Sequence, residues 1–155
     1  MKILLPVDGS QLSLEAVRFA IRLVREGLQA SFVLANVQEP ATLYEVMVAH
    51  DADVLQRVSG AAGEHLLSGA EALLNEAGFE HEREVASGDP GHTLVDIVER
   101  FECELVVMGA RGMGALSGAL VGSVSQALVR ASPVPVLVVK PHEAPEVEEE
   151  DIEGR

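Results

Sequence analysis

An α/β fold built on an open five-stranded parallel sheet, with helices on both faces, follows from three features of this sequence of 155 residues. Short apolar runs alternate with segments of helical periodicity. The runs are nearly unbroken, as expected of strands covered on both sides. Clusters of Gly, Pro, Asp and Ser punctuate the chain between them. The resulting order is β-α-β-α-β-α-β-α-β, which implies right-handed crossovers between parallel strands.

The first run, Ile3 to Val7, ends at Asp8-Gly9-Ser10, a turn that doubles as a helix start. From about Ser13 to Glu26, residues Leu14, Val17, Ile21, Val24 and Leu28 share one helical face while Arg18, Arg22 and Arg25 face water. Gly27 stops this helix. Ser31 to Val37 is the second strand, followed by an irregular stretch, Gln38 to His50, and a long helix from about Asp53 to Ala77 closed by Gly78. Glu82 to Ala86 is a weaker third strand. After the turn Ser87-Gly88-Asp89-Pro90-Gly91, a helix over Thr93 to Phe101 places Leu94, Ile97, Val98 and Phe101 at helical spacing. Leu105 to Met108 is a compact strand, Gly109 to Gly122 a glycine-rich loop, Ser123 to Ala131 a short helix, and Val134 to Val139 the last strand.

Composition narrows the function classes. The length suits one domain with one core, covering residues 1–140, and apolar residues make up 48% while aromatics are only 3%. So few aromatic faces argue against a stacking platform for single-stranded nucleic acid. Net charge is -14, of which residues 141–155 contribute -6 through seven acids and Arg155, so both tail and body repel a phosphate backbone. The lone Cys103 excludes an intramolecular disulfide and suits a reducing, cytoplasmic setting. No targeting signal and no membrane-spanning run is read. The tail from Glu143 onward is a like-charge segment, expected to be disordered and dispensable, and Ile152-Glu153-Gly154-Arg155 matches a cloning remnant.

Open parallel sheets bind ligands at the C-terminal ends of their strands, where strand order reverses. Asp8, Val37 and Gly109 follow or close three strands and would lie side by side there. The loop from Gly109 reads G-x2-G-x9-G-S through Gly112 and Gly122 to Ser123, and joins a strand to a helix start. Glycines let the backbone approach an anion, and the helix-start N–H groups point at it with the helix dipole behind them. Ser123 is placed to cap that helix or to bond a phosphate oxygen, and Arg111 is the cation inside the loop. This is not a P-loop, which needs a lysine beside the phosphates, since the only lysines are Lys2 and Lys140. Nor does Asp8-Gly9-Ser10 carry the further glycines of a dinucleotide fingerprint.

On these marks the sequence resembles the universal stress protein family over about residues 1–140. The marks are Pro6-Val7-Asp8-Gly9-Ser10, Val37, Gly88-Asp89-Pro90, Met108-Gly109-Ala110-Arg111-Gly112, Gly122-Ser123-Val124-Ser125 and the closing Pro133 to Val139. The spacing is that of the family's ATP-binding branch. The resemblance implies a Rossmann-like, adenine nucleotide alpha hydrolase-like fold that binds ATP, ADP or AMP with Mg2+. It implies Asp8, with Pro6 and Val7 before it, beside the adenosine portion, and Val37 offering backbone atoms to the adenine edge. Gly109 falls near the ribose, Met108 before it belongs to the same nucleotide site, and Arg111, Gly112, Gly122, Ser123, Val124 and Ser125 line the phosphates. It also implies a homodimer through the strand Val134 to Val139. Plainer roles stand beside these: an Asx turn or helix entry for Asp8 and core packing for the Val37 side chain.

The five histidines are scattered without metal-ligand spacing, Cys103 has no evident base, and neither Ser10 nor Ser123 belongs to a Ser-His-Asp arrangement. The leading reading is a non-catalytic module whose nucleotide occupancy governs an unknown protein partner in a stress response. The alternatives are a slow Mg-dependent ATPase or phosphotransferase, a structural dimer without nucleotide, and, more distantly, a flavin-binding electron-transfer protein.

Overall fold

The computed structural model describes residues 1–39, 52–111 and 121–141, with residues 52–59 as backbone. Among the described residues, five strands, β1 (Lys2–Pro6), β2 (Ser31–Gln38), β3 (His81–Ser87), β4 (Leu105–Gly109) and β5 (Val136–Val139), alternate with four helices. These are α1 (Gln11–Arg25), α2 (Ala52–Ala77), α3 (Pro90–Arg100) and α4 (Ser123–Ala131). The strands form one sheet in the order β3-β2-β1-β4-β5, every neighbouring pair parallel. This is the α/β fold expected from the sequence.

The alternation of side chains along each strand divides the core into two layers. On one face Ile3, Leu5, Val7, Phe32, Leu34 and Val107 pack against Ala16, Val17, Ala20 and Ile21 of α1 and Leu67, Ala70 and Leu74 of α2. On the other, Leu4, Val33, Ala35, Val106 and Met108 meet Leu94, Ile97 and Val98 of α3 and Leu128 of α4. Both faces of the central strands are therefore dry, which is why their sequences are unbroken apolar runs.

Element ends differ from the sequence expectation where a cap or a proline decides. Helix α1 begins at Gln11, because the Ser10 hydroxyl accepts from Ser13 N–H at 3.1 Å and acts as N-cap. Helix α3 begins at Pro90, with Asp89 as N-cap accepting from His92 N–H at 3.0 Å and proline filling the first turn. The last strand starts at Val136, not Val134. Ser132 Oγ donates to the Val134 carbonyl at 2.8 Å and accepts from Val134 N–H at 3.2 Å, so the Ser132-Pro133-Val134 turn is closed before the ladder begins. β1 stops at Pro6 while β2 runs on to Gln38, a mismatch that shapes the site. The tail beyond Pro141 lies outside the described residues, as does most of the Gln38 to His50 stretch.

Candidate functional site

The strand order reverses between β1 and β4: the chain leaves β1 toward β2 on one side and later returns to β4 on the other. Loops leaving these two strands diverge to opposite faces and open a crevice over their C-terminal ends. Val7 and Asp8 follow directly from β1, and Gly109 ends β4 with Ala110 and Arg111 after it.

On the β1 side, Asp8 Oδ1 accepts from Ser10 N–H at 2.9 Å, an Asx turn that holds the chain between strand and helix. Gly9 within it has φ 85°, a conformation that L-residues adopt only under strain. Pro6 is half-buried at the strand end, and Val7 is buried in the α1/α2 layer. Asp8 thus serves the turn and stands at the crevice together; the Asx role anticipated from sequence is present.

On the β4 side, the Gly109 backbone packs under the start of α1. A Cβ there would meet Leu12 Cγ at 3.0 Å and the Leu12 backbone at 3.2 Å, so only glycine lets strand and helix approach this closely. Met108 is buried in the α3/α4 layer, which makes its side chain a packing group. Ala110 anchors the loop. Its N–H donates to the Val139 carbonyl at 2.8 Å, and its carbonyl accepts from Gly122 N–H at 2.5 Å and from Ser125 Oγ at 2.7 Å. These bonds draw the two ends of the glycine-rich loop together and fix the start of α4 beside the end of β4. Gly112 lies outside the described residues, as do residues 113–120.

Helix α4 has Gly122 as its N-cap and no side-chain capping bond, so Ser123 is the first helical residue and does not cap. Its first intrahelical donor is Gln126 N–H, bonding the Gly122 carbonyl at 3.0 Å. The N–H groups of Ser123, Val124 and Ser125 are left without intrahelical partners at the positive end of the helix dipole. Ser123 is exposed, Val124 is partly buried, and Ser125 is buried with its hydroxyl turned inward to Ala110 and Gly122. The local positive potential comes from this helix end and from Arg111, which is half-buried and has no ion pair among the described residues.

Val37 completes the crevice from β2. Backbone groups along β2 alternate in direction: Val7 N–H donates to the Ala35 carbonyl at 2.8 Å, toward β1, and Gly88 N–H donates to the Gln38 carbonyl at 2.9 Å, toward β3. By that two-residue period the Val37 N–H and C=O are directed over the end of β1, while its side chain packs against the α3/α4 layer. The packing role weighed for the Val37 side chain is present, and its backbone pair is turned toward the crevice.

The structure also brings in Asn36 and Ala110, which the sequence reading did not single out. Asn36 was detectable as the one polar residue between Phe32 and Val37; Ala110 acts through its backbone N–H and carbonyl, which no side-chain pattern reveals. Cys103 lies far from this crevice, at the opposite end of β4, buried, with its thiol pushed up to about 11 chiefly by desolvation. It has the character of an inert packing thiol, as anticipated. Among the described residues no helix is long and apolar enough to cross a membrane.

The model of the Universal stress protein family matches residues 1–140. Universal stress protein MJ0531 of Methanocaldococcus jannaschii is 29% identical over 139 residues, spanning 90% of this chain and 81% of that relative. Among solved structures, hypothetical protein MJ0577 superposes with a TM-score of 0.78 at 24% identity, covering 92% of this chain and 97% of its own, a likeness of fold. A universal stress protein solved in complex with cAMP is 26% identical with a TM-score of 0.66, covering 90% of this chain and 96% of its own.

Proposed function

This chain belongs to the universal stress protein family, and we propose that it is an ATP-binding member that acts as a nucleotide-dependent regulatory module in the cytoplasm. The observation that carries this reading is the uncapped start of α4, held by Ala110 against the C-terminal end of β4 at the point where strand order reverses. A cAMP-bound relative with the same fold supports an adenine nucleotide as the ligand class.

The groups present fit such a ligand. The N–H groups of Ser123 and Val124 and the Arg111 guanidinium would hold the phosphates, with Gly112 and Gly122 allowing the backbone to come close. Asp8 would meet the ribose hydroxyls as an acceptor, and the Val37 backbone would meet the base edge. Among the described residues no three His, Cys, Asp or Glu side chains converge on a metal. Mg2+ would therefore be held chiefly by the phosphates, as is usual for this ion. The glycine-rich loop carries no Asp, Glu or His to serve as a general base for an attacking water, so binding rather than turnover is the role proposed. A protein partner would read the nucleotide's presence at the crevice.

The same reading includes a homodimer through β5, within the stretch Val134 to Val139. The two sheet edges differ in kind: β3 presents His81, Glu82, Arg83 and Glu84, whereas β5 presents Val136, Leu137, Val138 and Val139, all partly exposed. Charged edges resist strand pairing and apolar ones invite it.

Mass spectrometry of nucleotide released from freshly purified, denatured protein tests the proposal. The expected result is an adenine nucleotide. Protein that releases none, and that shows no saturable binding when millimolar ATP is added, would refute it.

A further inference from the structure

Asn36 is 2% exposed, one of three buried polar residues among those described. Its Nδ2 donates to the Val7 carbonyl at 2.8 Å, and its Oδ1 is buried without a hydrogen-bond partner. The amide cannot turn round, because Oδ1 would then face the Val7 carbonyl, acceptor against acceptor. Gly63 of α2 makes room for it: a Cβ at Gly63 would stand 3.0 Å from Asn36 Oδ1. A buried amide with one end unsatisfied is a poor stabilising element compared with an apolar side chain of similar size.

What Asn36 changes is the end of the β1–β2 ladder. In a parallel pair, a residue's N–H and C=O bond the two residues that flank its counterpart on the neighbouring strand. Val7 N–H takes the Ala35 carbonyl, so the continuing ladder would give the Val7 carbonyl to Val37 N–H. The Asn36 side chain occupies that carbonyl instead. The Val37 N–H and C=O are thereby left as an adjacent donor and acceptor facing the crevice. Adenine presents an amino donor next to a ring acceptor, the complement of this pair, whereas guanine presents a carbonyl acceptor at the corresponding position.

We infer that Asn36 is a base-selection residue: by holding the Val7 carbonyl, it keeps the Val37 backbone pair open for an adenine edge. The inference rests on the nucleotide-binding reading and assigns base discrimination within that site to a positioning residue that touches no ligand. Loss of the Nδ2 donor would let the ladder close by one more bond.

Two measurements test it. Calorimetry compares ATP, GTP and inorganic triphosphate binding to the wild type and to Asn36→Leu, which keeps the volume and removes the donor. The wild type is expected to prefer ATP over GTP by about tenfold or more, and Asn36→Leu to lose most of that preference while triphosphate binding is unchanged. A purely structural role would weaken all three ligands alike, and an unchanged ATP-to-GTP ratio in Asn36→Leu likewise overturns the inference while leaving nucleotide binding intact. Wild-type protein that binds no nucleotide overturns both. Amide hydrogen exchange on the wild type needs no variant. Val37 N–H is expected to exchange freely without ligand and to be protected by ATP; protection in the ligand-free protein overturns the inference.

Discussion

In the proposed nucleotide site, single residues would act mostly through backbone atoms, and that sets which substitutions report on function. Gly122 has φ -78° and ψ 170°, a conformation open to any residue. Gly122→Val is therefore expected to keep the fold and to obstruct only the approach of phosphate to α4. ATP affinity should fall at least about tenfold with little change in melting temperature; unchanged affinity in calorimetry would remove the loop end from the site. Cys103 makes the contrasting case of a buried side chain outside the crevice. With its thiol at about 11 against an ordinary 9.0, the thiolate is about a hundredfold scarcer at pH 8, and alkylation of the native protein should be slower by at least that factor than in urea. The sign for stability follows. Below pH 9 the thiol is protonated folded or unfolded, and between pH 9 and about 11 only the unfolded state releases the proton. Stability should decline across that window, and Cys103→Ala should remove that part of the decline in denaturant titrations. Burial of Cys103 was legible because it sits between a helix and a compact strand. The function of Asn36 was not, since it depends on β1 ending at Pro6 while β2 continues to Gln38.

At the level of elements, period and punctuation located all five strands and the four described helices, because both faces of the sheet are covered and each helix has one buried stripe. Boundaries were less legible. Capping by Ser10 and Asp89 adds a turn of helix before the first periodic apolar residue, and the Ser132 turn removes the first two residues of the last strand. Helix–helix spacing was not legible at all. Gly91 of α3 lies against Ala127 of α4, where an added Cβ would stand 2.9 Å from the Ala127 Cβ. Gly91 is in the first turn, so the gain in helix propensity on adding a methyl is small there, and a Cβ cannot swing away. Gly91→Ala should cost about 1–2 kcal/mol by overpacking. Adding Ala127→Gly should recover part of the loss in thermal melts; an equally destabilised double variant would show that the two helices do not meet there.

For the whole molecule, the proposed homodimer rests on the contrast between the sheet's two edges. The β3 edge is charged and tied down by Arg83 to Glu71 at 3.2 Å and Arg100 to Glu84 at 3.6 Å, surface pairs that add little stability but keep charge on that edge. The β5 edge is apolar, and Val129 on the neighbouring helix α4 is 56% exposed. One sticky edge per chain permits a closed two-fold pair and no filament. Val136→Lys with Val138→Lys should yield a monomer, or insoluble protein if the fold needs its partner; a wild type that sediments as a monomer at micromolar concentration would contradict this. Net charge of -14 makes the molecule an unpromising host for a polyanion, so the proposed nucleotide binding would depend on the local field at α4 and Arg111. The direct measurement is a calorimetric titration of nucleotide-free wild-type protein with MgATP. The expected result is one site per chain with a Kd near micromolar, about -8 kcal/mol. The absence of saturable heat up to millimolar ATP would contradict it.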